Sequence, residues 1–143
     1  MDNFTFEHLL NYPTFTVCKV AISSDKIDIY GASALSEGFC SKNLEKSSKV
    51  VAKKERIFRH LSILDKPVFL HIQVRKFKLP TGGYFWEQLP FFGECCQMTK
   101  EYEQYLFRIC KGRDSTDVAR QEGLEVGSVR GIFDYYGKKS SNP

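Results

Sequence analysis

The stretch DSTDVARQEGLEVGSVRGIFDYY, residues Asp114–Tyr136, decides the fold of the C-terminal part of this chain. Counted from Ser115 as position one, positions five, nine and fifteen are Ala119, Gly123 and Val129. A small residue lets two helices cross closely, a glycine can adopt the positive φ of a tight turn, and the valine faces the core together with Ile132. The spacing predicts a helix-turn-helix, whose second helix enters the major groove of DNA. An ordinary helical hairpin with a glycine turn is the alternative.

The second predicted helix begins near Val126 and presents few groups that recognise DNA. Its outward positions are Gly127, Ser128, Arg130, Gly131 and Asp134. Arg130 is the strong donor among them, so we assign base contacts to Ser128 and Arg130 and phosphate contacts to Lys138 and Lys139 just beyond. Each glycine costs about 1 kcal/mol relative to alanine inside a helix. We therefore expect this helix alone to bind DNA weakly, so that binding also requires cations elsewhere in the chain.

Capping residues define the helices around this motif. Thr99 can begin a helix that runs to about Lys111, where Gly112 ends it. Asp114 can begin the first helix of the motif, and we expect Gly137 to end the last one and the tail to be loose. Residues 94–138 are therefore predicted to form a three-helix unit.

The composition indicates a folded protein, since 42% of the residues are hydrophobic and 14% aromatic. No apolar run approaches the ~20 residues of a membrane span, and the first residues lack the basic start of a secretory signal. The five cysteines are an odd number without the spacing of a metal site. A reduced, cytoplasmic setting is predicted.

The basic charge is concentrated in the middle of the chain. Residues 42–78 carry eleven Lys and Arg against three Asp and Glu, a net charge of +8, whereas the flanking segments 1–41 and 79–143 carry −3 and −1. Such a run can be a solvated face; beside a DNA-binding motif it favours a surface that follows phosphates. The candidate phosphate contacts are Lys53, Lys54, Arg56, Arg59, Arg75, Lys76 and Lys78.

The first 93 residues have the alternation of a small antiparallel β unit, which makes the fold class α+β. The predicted elements are a helix at Phe4–Asn11, strands at Phe15–Ala21 and Lys26–Tyr30, a loop at Gly31–Lys49, and a hairpin of Arg56–Leu64 with Pro67–Lys78. The hairpin's second strand has the clearest period of two, with Val68, Leu70, Ile72 and Val74 on one face. That row is expected to face a core.

The segment from His60 to Leu106 resembles the N-terminal region of bacterial insertion-sequence transposases of the L-three family. The most specific parts are Asp65-Lys66-Pro67-Val68, Val74-Arg75-Lys76-Phe77 and Glu87-Gln88-Leu89-Pro90. The resemblance implies a small zinc-binding β unit, a basic hairpin and a helix-turn-helix that binds double-stranded DNA, followed in that family by a catalytic domain. A separate catalytic transposase subunit and a homodimer on two half-sites are further partners it suggests.

The chain departs from that family at the zinc ligands. The first Cys-x-x-Cys pair falls on Cys40 and Asn43, and the second on Leu79 and Gly82. A closed structural zinc site needs four ligands. We therefore predict a degenerate, zinc-ribbon-like unit with no metal and no cofactor, held together by aromatic packing around Phe77, Leu79 and Tyr84–Trp86.

Catalysis is not expected. The chain ends soon after the helix-turn-helix. The acidic residues near its C-terminus have the spacing of helix caps and solvated positions, and not that of a site that holds two divalent ions. His8, His60 and His71 are scattered without chelating spacing, so each is interpreted as a surface or half-buried residue. The predicted function is non-catalytic binding of double-stranded DNA. The alternative is a protein-interaction module that kept the fold and lost the ability to bind DNA.

Overall fold

The protein was analysed as a computed structural model that describes residues 10, 12, 14–40, 42, 44–95 and 97–141, and of residues 139–141 the backbone. This part of the chain contains seven strands and three helices. The strands are β1 (Phe15–Ile22), β2 (Ile27–Ser33), β3 (Gly38–Cys40), β4 (Glu45–Ser47), β5 (Val50–Ile63), β6 (Lys66–Lys78) and β7 (Tyr84–Trp86). The helices are α1 (Lys100–Cys110), α2 (Ser115–Glu122) and α3 (Val126–Ser141). The fold class is α+β, as predicted.

The main sheet has the strand order β1-β2-β6-β5, and β7 also pairs with β6. β1 and β2 form the predicted antiparallel hairpin, but β2 lies parallel to β6, from Ile27 opposite Val68 to Ala32 opposite Gln73. The prediction of a purely antiparallel unit is therefore wrong. A parallel pair needs a long crossover, and the residues between β2 and β6, which include β3, β4 and β5, supply it.

The alternating row on β6 forms the centre of the sheet's core. Val68, Leu70, Ile72 and Val74 have no exposed surface, which confirms the face predicted for them. Ile29 of β2 and Phe58 of β5 are buried with them. The register follows from the period of two, because a shift by one residue would place this whole row in solvent.

The predicted loop at Gly31–Lys49 is wrong in part. β2 continues to Ser33, and β3 and β4 form a small antiparallel sheet with Gly38 opposite Ser47. A Cβ at Gly38 would lie 2.4 Å from the Phe77 ring, so this position accepts only glycine without a shift of that ring. Strands of three residues carry too little alternation to be visible in the sequence.

The helical boundaries follow the predicted caps at Thr99, Gly112 and Asp114, but not at Gly137. Thr99 begins α1 by accepting the N–H of Tyr102, and Asp114 begins α2 by accepting the N–H of Thr116. α3 does not end at Gly137 but continues to Ser141, which contradicts the predicted end and the loose tail up to that residue. A glycine inside a helix costs only about 1 kcal/mol and does not force an end.

The described residues form two compact units. The sheet unit comprises the residues up to Phe58 together with Ser62–Pro90, and the helical unit comprises Arg59–Leu61 with the residues from Phe91 on. The predicted helix Phe4–Asn11 lies outside the described residues apart from Leu10. Within the described part, no helix is long and apolar enough to cross a membrane.

Candidate nucleic-acid interface

The turn between α2 and α3 has the geometry that its glycine predicts. Gly123 has φ of 69°, in the left-handed region, and the N–H of Leu124 donates to the carbonyl of Ala119 at 2.9 Å. Ala119 is 4% exposed, and Val129 and Ile132 are completely buried. The two helices are therefore joined by a glycine-capped turn over one core, to which α1 contributes Tyr102 and Leu106 among others.

A buried cluster of Arg59, Tyr102 and Glu122 holds the end of α2. The Arg59 guanidinium donates to the Glu122 carbonyl at 3.0 Å, lies 3.7 Å from the Glu122 carboxylate, and stacks over the Tyr102 ring at 4.7 Å. The Tyr102 hydroxyl donates to the same carboxylate at 2.7 Å. Burial and this hydrogen bond raise the pKa of Tyr102, so it remains a donor at all ordinary pH values. Arg59, predicted to contact phosphate, is instead 8% exposed and positions the turn.

A second buried carboxylate fixes the segment before α1 to α3. Glu103 is completely buried and accepts the N–H groups of Glu94 and Cys95 and the hydroxyl of Tyr136, at 2.8 to 3.0 Å. Burial first, and this hydrogen bond second, raise the pKa of Tyr136. A Cβ at Gly93 would lie 2.4 Å from the Glu103 carboxylate. Because a buried carboxylate must be satisfied by donors, Glu103 locks α3 in place.

The outward face of α3 is exposed and smooth. Gly127, Arg130, Gly131 and Asp134 are exposed and Ser128 is half-buried. A Cβ at Gly127 or at Gly131 would meet no atom within 4 Å, so packing within the protein does not require either glycine. Farther along α3, Lys138 is exposed, and Lys139 lies in the last turns of the same helix.

The remaining predicted cations lie on β5 and β6. Lys53 and Lys54 are exposed on β5, and Arg56 is half-buried with its guanidinium 4.7 Å from the Phe58 ring. Lys76 and Lys78 are half-buried on β6. Of the seven predicted strand cations, all but Arg59 are thus exposed or half-buried.

Arg75 is engaged within the sheet unit. Its guanidinium forms a fork with the Glu87 carboxylate at 2.6 and 3.3 Å, and the Glu87 N–H donates to the Arg75 carbonyl at 2.8 Å. Glu87 is 5% exposed. Planar guanidinium groups suit such bidentate pairs, and this pair fixes the chain that leaves β7. The sequence could not reveal the partner, because Glu87 is 12 residues away, just beyond the end of β7.

Lysine ammonium groups lie over two aromatic rings of β7, and these contacts were not predicted from the sequence. The Lys54 ammonium lies 4.2 Å from the centre of the Trp86 ring, and the Lys76 ammonium lies 5.0 Å from Tyr84 and 5.8 Å from Trp86. Lys76 is opposite Trp86 and Lys78 opposite Tyr84 in the β6–β7 register. The available signal was the Tyr84-Phe85-Trp86 triplet beside a Lys-rich strand.

The face of β6 opposite the buried row Val68, Leu70, Ile72 and Val74 carries a histidine between carboxylates. The His71 ring stacks on Tyr30 at 4.3 Å, contacts the Asp28 carboxylate at 2.7 Å, and contacts Glu55 at 3.3 Å. His60, predicted at or near the surface, is 8% exposed in the helical unit, where it contacts the Thr99 hydroxyl at 2.7 Å. Burial lowers the pKa of His60.

The positions that match the family's zinc ligands do not assemble a ligand set. Cys40 and Leu79 are buried, Gly82 is in a turn with φ of 91°, and Asn43 lies outside the described residues. Across the described part of the chain, no three His, Cys, Asp or Glu residues are grouped as metal ligands.

A capped glycine turn, a shared core and an exposed second helix define a helix-turn-helix unit. Residues 87–137 match the helix-turn-helix domain of transposase family ISL3, the insertion-sequence family that the sequence resembles. This part of the chain therefore resembles the DNA-binding region of those transposases. No curated protein and no solved structure matches the chain.

Proposed function

We propose that this chain is a non-catalytic module that binds double-stranded DNA, similar to the part of a transposase that recognises the transposon ends. The observation that carries the proposal is the match of residues 87–137 to a transposase helix-turn-helix whose second helix, α3, has an exposed outward face. In such motifs the second helix lies in the major groove and its first turns contact base edges.

The proposed roles follow from exposure. Ser128 and Arg130 contact bases, and Lys138 and Lys139 contact phosphates beyond them. The exposed or half-buried strand cations supply attraction without sequence preference; they are Lys53, Lys54, Arg56, Lys76 and Lys78. We leave Arg59 and Arg75 out of this set because their guanidinium groups are already paired with carboxylates inside the protein.

The absence of catalysis is part of the proposal, and the positions of the acidic residues support it. Asp114 caps α2, Asp117 pairs with Arg120, and Glu122 pairs with Arg59. Each of these three carboxylates has a partner within the protein, whereas metal-assisted strand cleavage needs acids that converge on one open position. A separate catalytic subunit would then act beside this module.

Further features of the proposal concern the sheet unit and the setting. We propose that the sheet unit is a zinc-ribbon-like element that has lost its metal, because aromatic packing such as the stacked pair Phe77–Phe85 occupies this region. The odd number of cysteines, five in all, supports a reducing, cytoplasmic setting. Binding as a homodimer would let two copies of α3 occupy two half-sites.

The second candidate is a protein-interaction module, and the outward face of α3 favours it. That face carries one cation, Arg130, and one anion, Asp134, and the aromatic residues Phe133 and Tyr135 are over one third exposed on the same helix. A face without net charge gains little from phosphates, while exposed aromatic side chains are typical of protein interfaces.

Fluorescence anisotropy with labelled duplexes from the flanks of the protein's own gene tests the proposal. We expect Arg130→Ala to weaken binding about tenfold or more, the value of one good base contact. The matched control is Arg108→Ala, which removes the same charge from an exposed position of α1. Equal effects of the two variants, or no duplex binding at low salt, would leave the protein-interaction candidate.

A further inference from the structure

The sheet unit contains a lysine-lined cavity of which the proposed function uses only Lys78. It measures about 490 Å³ and is lined by Lys46, Lys49, Lys78, Ser48 and Glu37 among others. Ser47 also lines the cavity, and its hydroxyl donates to the Lys78 carbonyl and accepts the Lys49 N–H, which ties β4 to the end of β6. Within the described part of the chain, the ion pairs do not include these three lysines. The cavity therefore concentrates positive charge in a concave site.

An aromatic cleft adjoins this cavity. It measures about 710 Å³ and is lined by Phe39, Tyr84, Phe85 and Trp86 among others, and Phe39 and Tyr84 are 52% and 56% exposed. Glu37 and Leu79 line both the cavity and the cleft, so the two share a wall. Large aromatic side chains with this much exposed surface are unusual inside a folded unit and mark a binding surface.

A lysine cavity beside exposed aromatic rings matches the chemistry of a nucleotide chain in which the bases are unpaired. Proteins that bind single strands combine cations along the phosphates with aromatic side chains on which bases stack. A duplex cannot use the rings in this way, because its bases are already stacked on one another. The aromatic cleft therefore favours a single strand over a duplex.

We propose that the sheet unit binds single-stranded DNA, with phosphates in the cavity of Lys46, Lys49 and Lys78 and bases stacked on Tyr84 and Trp86. This inference goes beyond the proposed function and does not depend on it, since α3 takes no part. The cleft and the cavity are adjacent, so consecutive groups of one strand reach both.

The lysines that lie over the rings fit this role. The ammonium groups of Lys54 and Lys76 cover Trp86 and Tyr84 in the free protein. A base stacked on an aromatic ring is held more strongly than an exposed ammonium over the same ring. An arriving base displaces the flexible lysine side chain, and the released ammonium contacts the phosphate that accompanies the base.

Trp86 is the single tryptophan of the chain, so its fluorescence reports this site alone. We expect a 12-nucleotide oligo(dT) to quench Trp86, and a 12-nucleotide abasic strand of equal charge to bind more weakly without quenching. Anisotropy with labelled oligo(dT) should show at least fivefold weaker binding for Tyr84→Ala and for Trp86→Ala, and near-normal binding for Trp86→Phe.

The lysine cavity has its own test by salt dependence. Lys46→Gln with Lys49→Gln should lower the salt slope of oligo(dT) binding by about 1.4, since each phosphate contact on a single strand contributes about 0.7. Lys66→Gln is the matched control, because Lys66 is at the opposite end of β6 and binds the Ser23 carbonyl. Circular dichroism establishes that each variant is folded.

Three outcomes overturn the inference. The first is equal binding of the abasic strand and oligo(dT), and the second is binding that leaves Trp86 fluorescence unchanged. The third is a larger effect of the Tyr84 and Trp86 substitutions on duplex binding than on oligo(dT) binding. Arg130→Ala separates this inference from the proposed function, because it should leave oligo(dT) binding unchanged even where duplex binding is lost. Failure of duplex binding alone therefore does not bear on the single-strand site.

Discussion

Two glycines of the helix-turn-helix should respond in opposite directions to the same substitution. Gly123 and Gly131 both have open space where a Cβ would be placed, so an added methyl group meets no neighbour at either position. Backbone conformation alone then decides the result. Gly123 has φ of 69°, whereas Gly131 lies inside α3 and is absent from the positive-φ glycines.

The magnitudes follow from this difference. Gly131→Ala should raise the free energy of unfolding by about 1 kcal/mol, the difference between alanine and glycine in a helix interior. Gly123→Ala should lower it by about 1–2 kcal/mol, the cost of the left-handed conformation for a residue with a Cβ. The two variants should differ by about 2–3 kcal/mol, which is roughly 10 °C in melting temperature.

Urea unfolding followed by circular dichroism at the helical band measures both variants, because the helices belong to one unit. Gly137→Ala is the control for helix propensity, since it makes the same change in the same helix with no atom within 4 Å of the new Cβ. It should stabilise the protein about as much as Gly131→Ala. Stabilisation by Gly123→Ala, or destabilisation by Gly131→Ala, would refute the conformational argument.

Two further predictions concern buried polar groups of the helical unit. Arg59→Ala should lower the free energy of unfolding by about 3 kcal/mol, because Glu122 would stay buried without its cation; urea unfolding measures it, and a loss below about 1 kcal/mol would mean that the pair is not structural. His60 should make stability fall as the pH drops below 6.5, because burial lowers its pKa and the unfolded chain then binds a proton that the folded chain does not. His60→Gln should flatten this pH dependence between pH 6.5 and the lowered pKa, and an unchanged slope would assign the dependence to other groups.

Local signals in the sequence were sufficient for the helix-turn-helix and for the centre of the sheet. Thr99, Asp114 and Gly123 act through neighbours within five residues, and the row on β6 follows from a period of two. Their structural roles are set by chemistry that the sequence displays directly. These predictions were confirmed for that reason.

Pairings between distant residues were not visible in the same way. Arg59 binds the Glu122 carbonyl 63 residues away, and the parallel contact of β2 with β6 joins strands separated by the whole β3–β5 region. A sequence shows that a residue is charged but not where its partner lies. The basic segment therefore looked like one uniform surface, although two of its arginines are used inside the protein.

The internal use of arginine changes what the basic segment can offer to DNA. The guanidinium groups of Arg59 and Arg75 are bound to carboxylates, so the exposed cations of β5 and β6 are mainly lysines. Lysine acts as a point charge that follows phosphates, whereas arginine suits the paired acceptors of guanine. On the proposed function, the sheet unit therefore adds affinity without sequence preference. Discrimination between duplex sequences then depends on the face of α3 that carries Arg130, where one substitution should remove it.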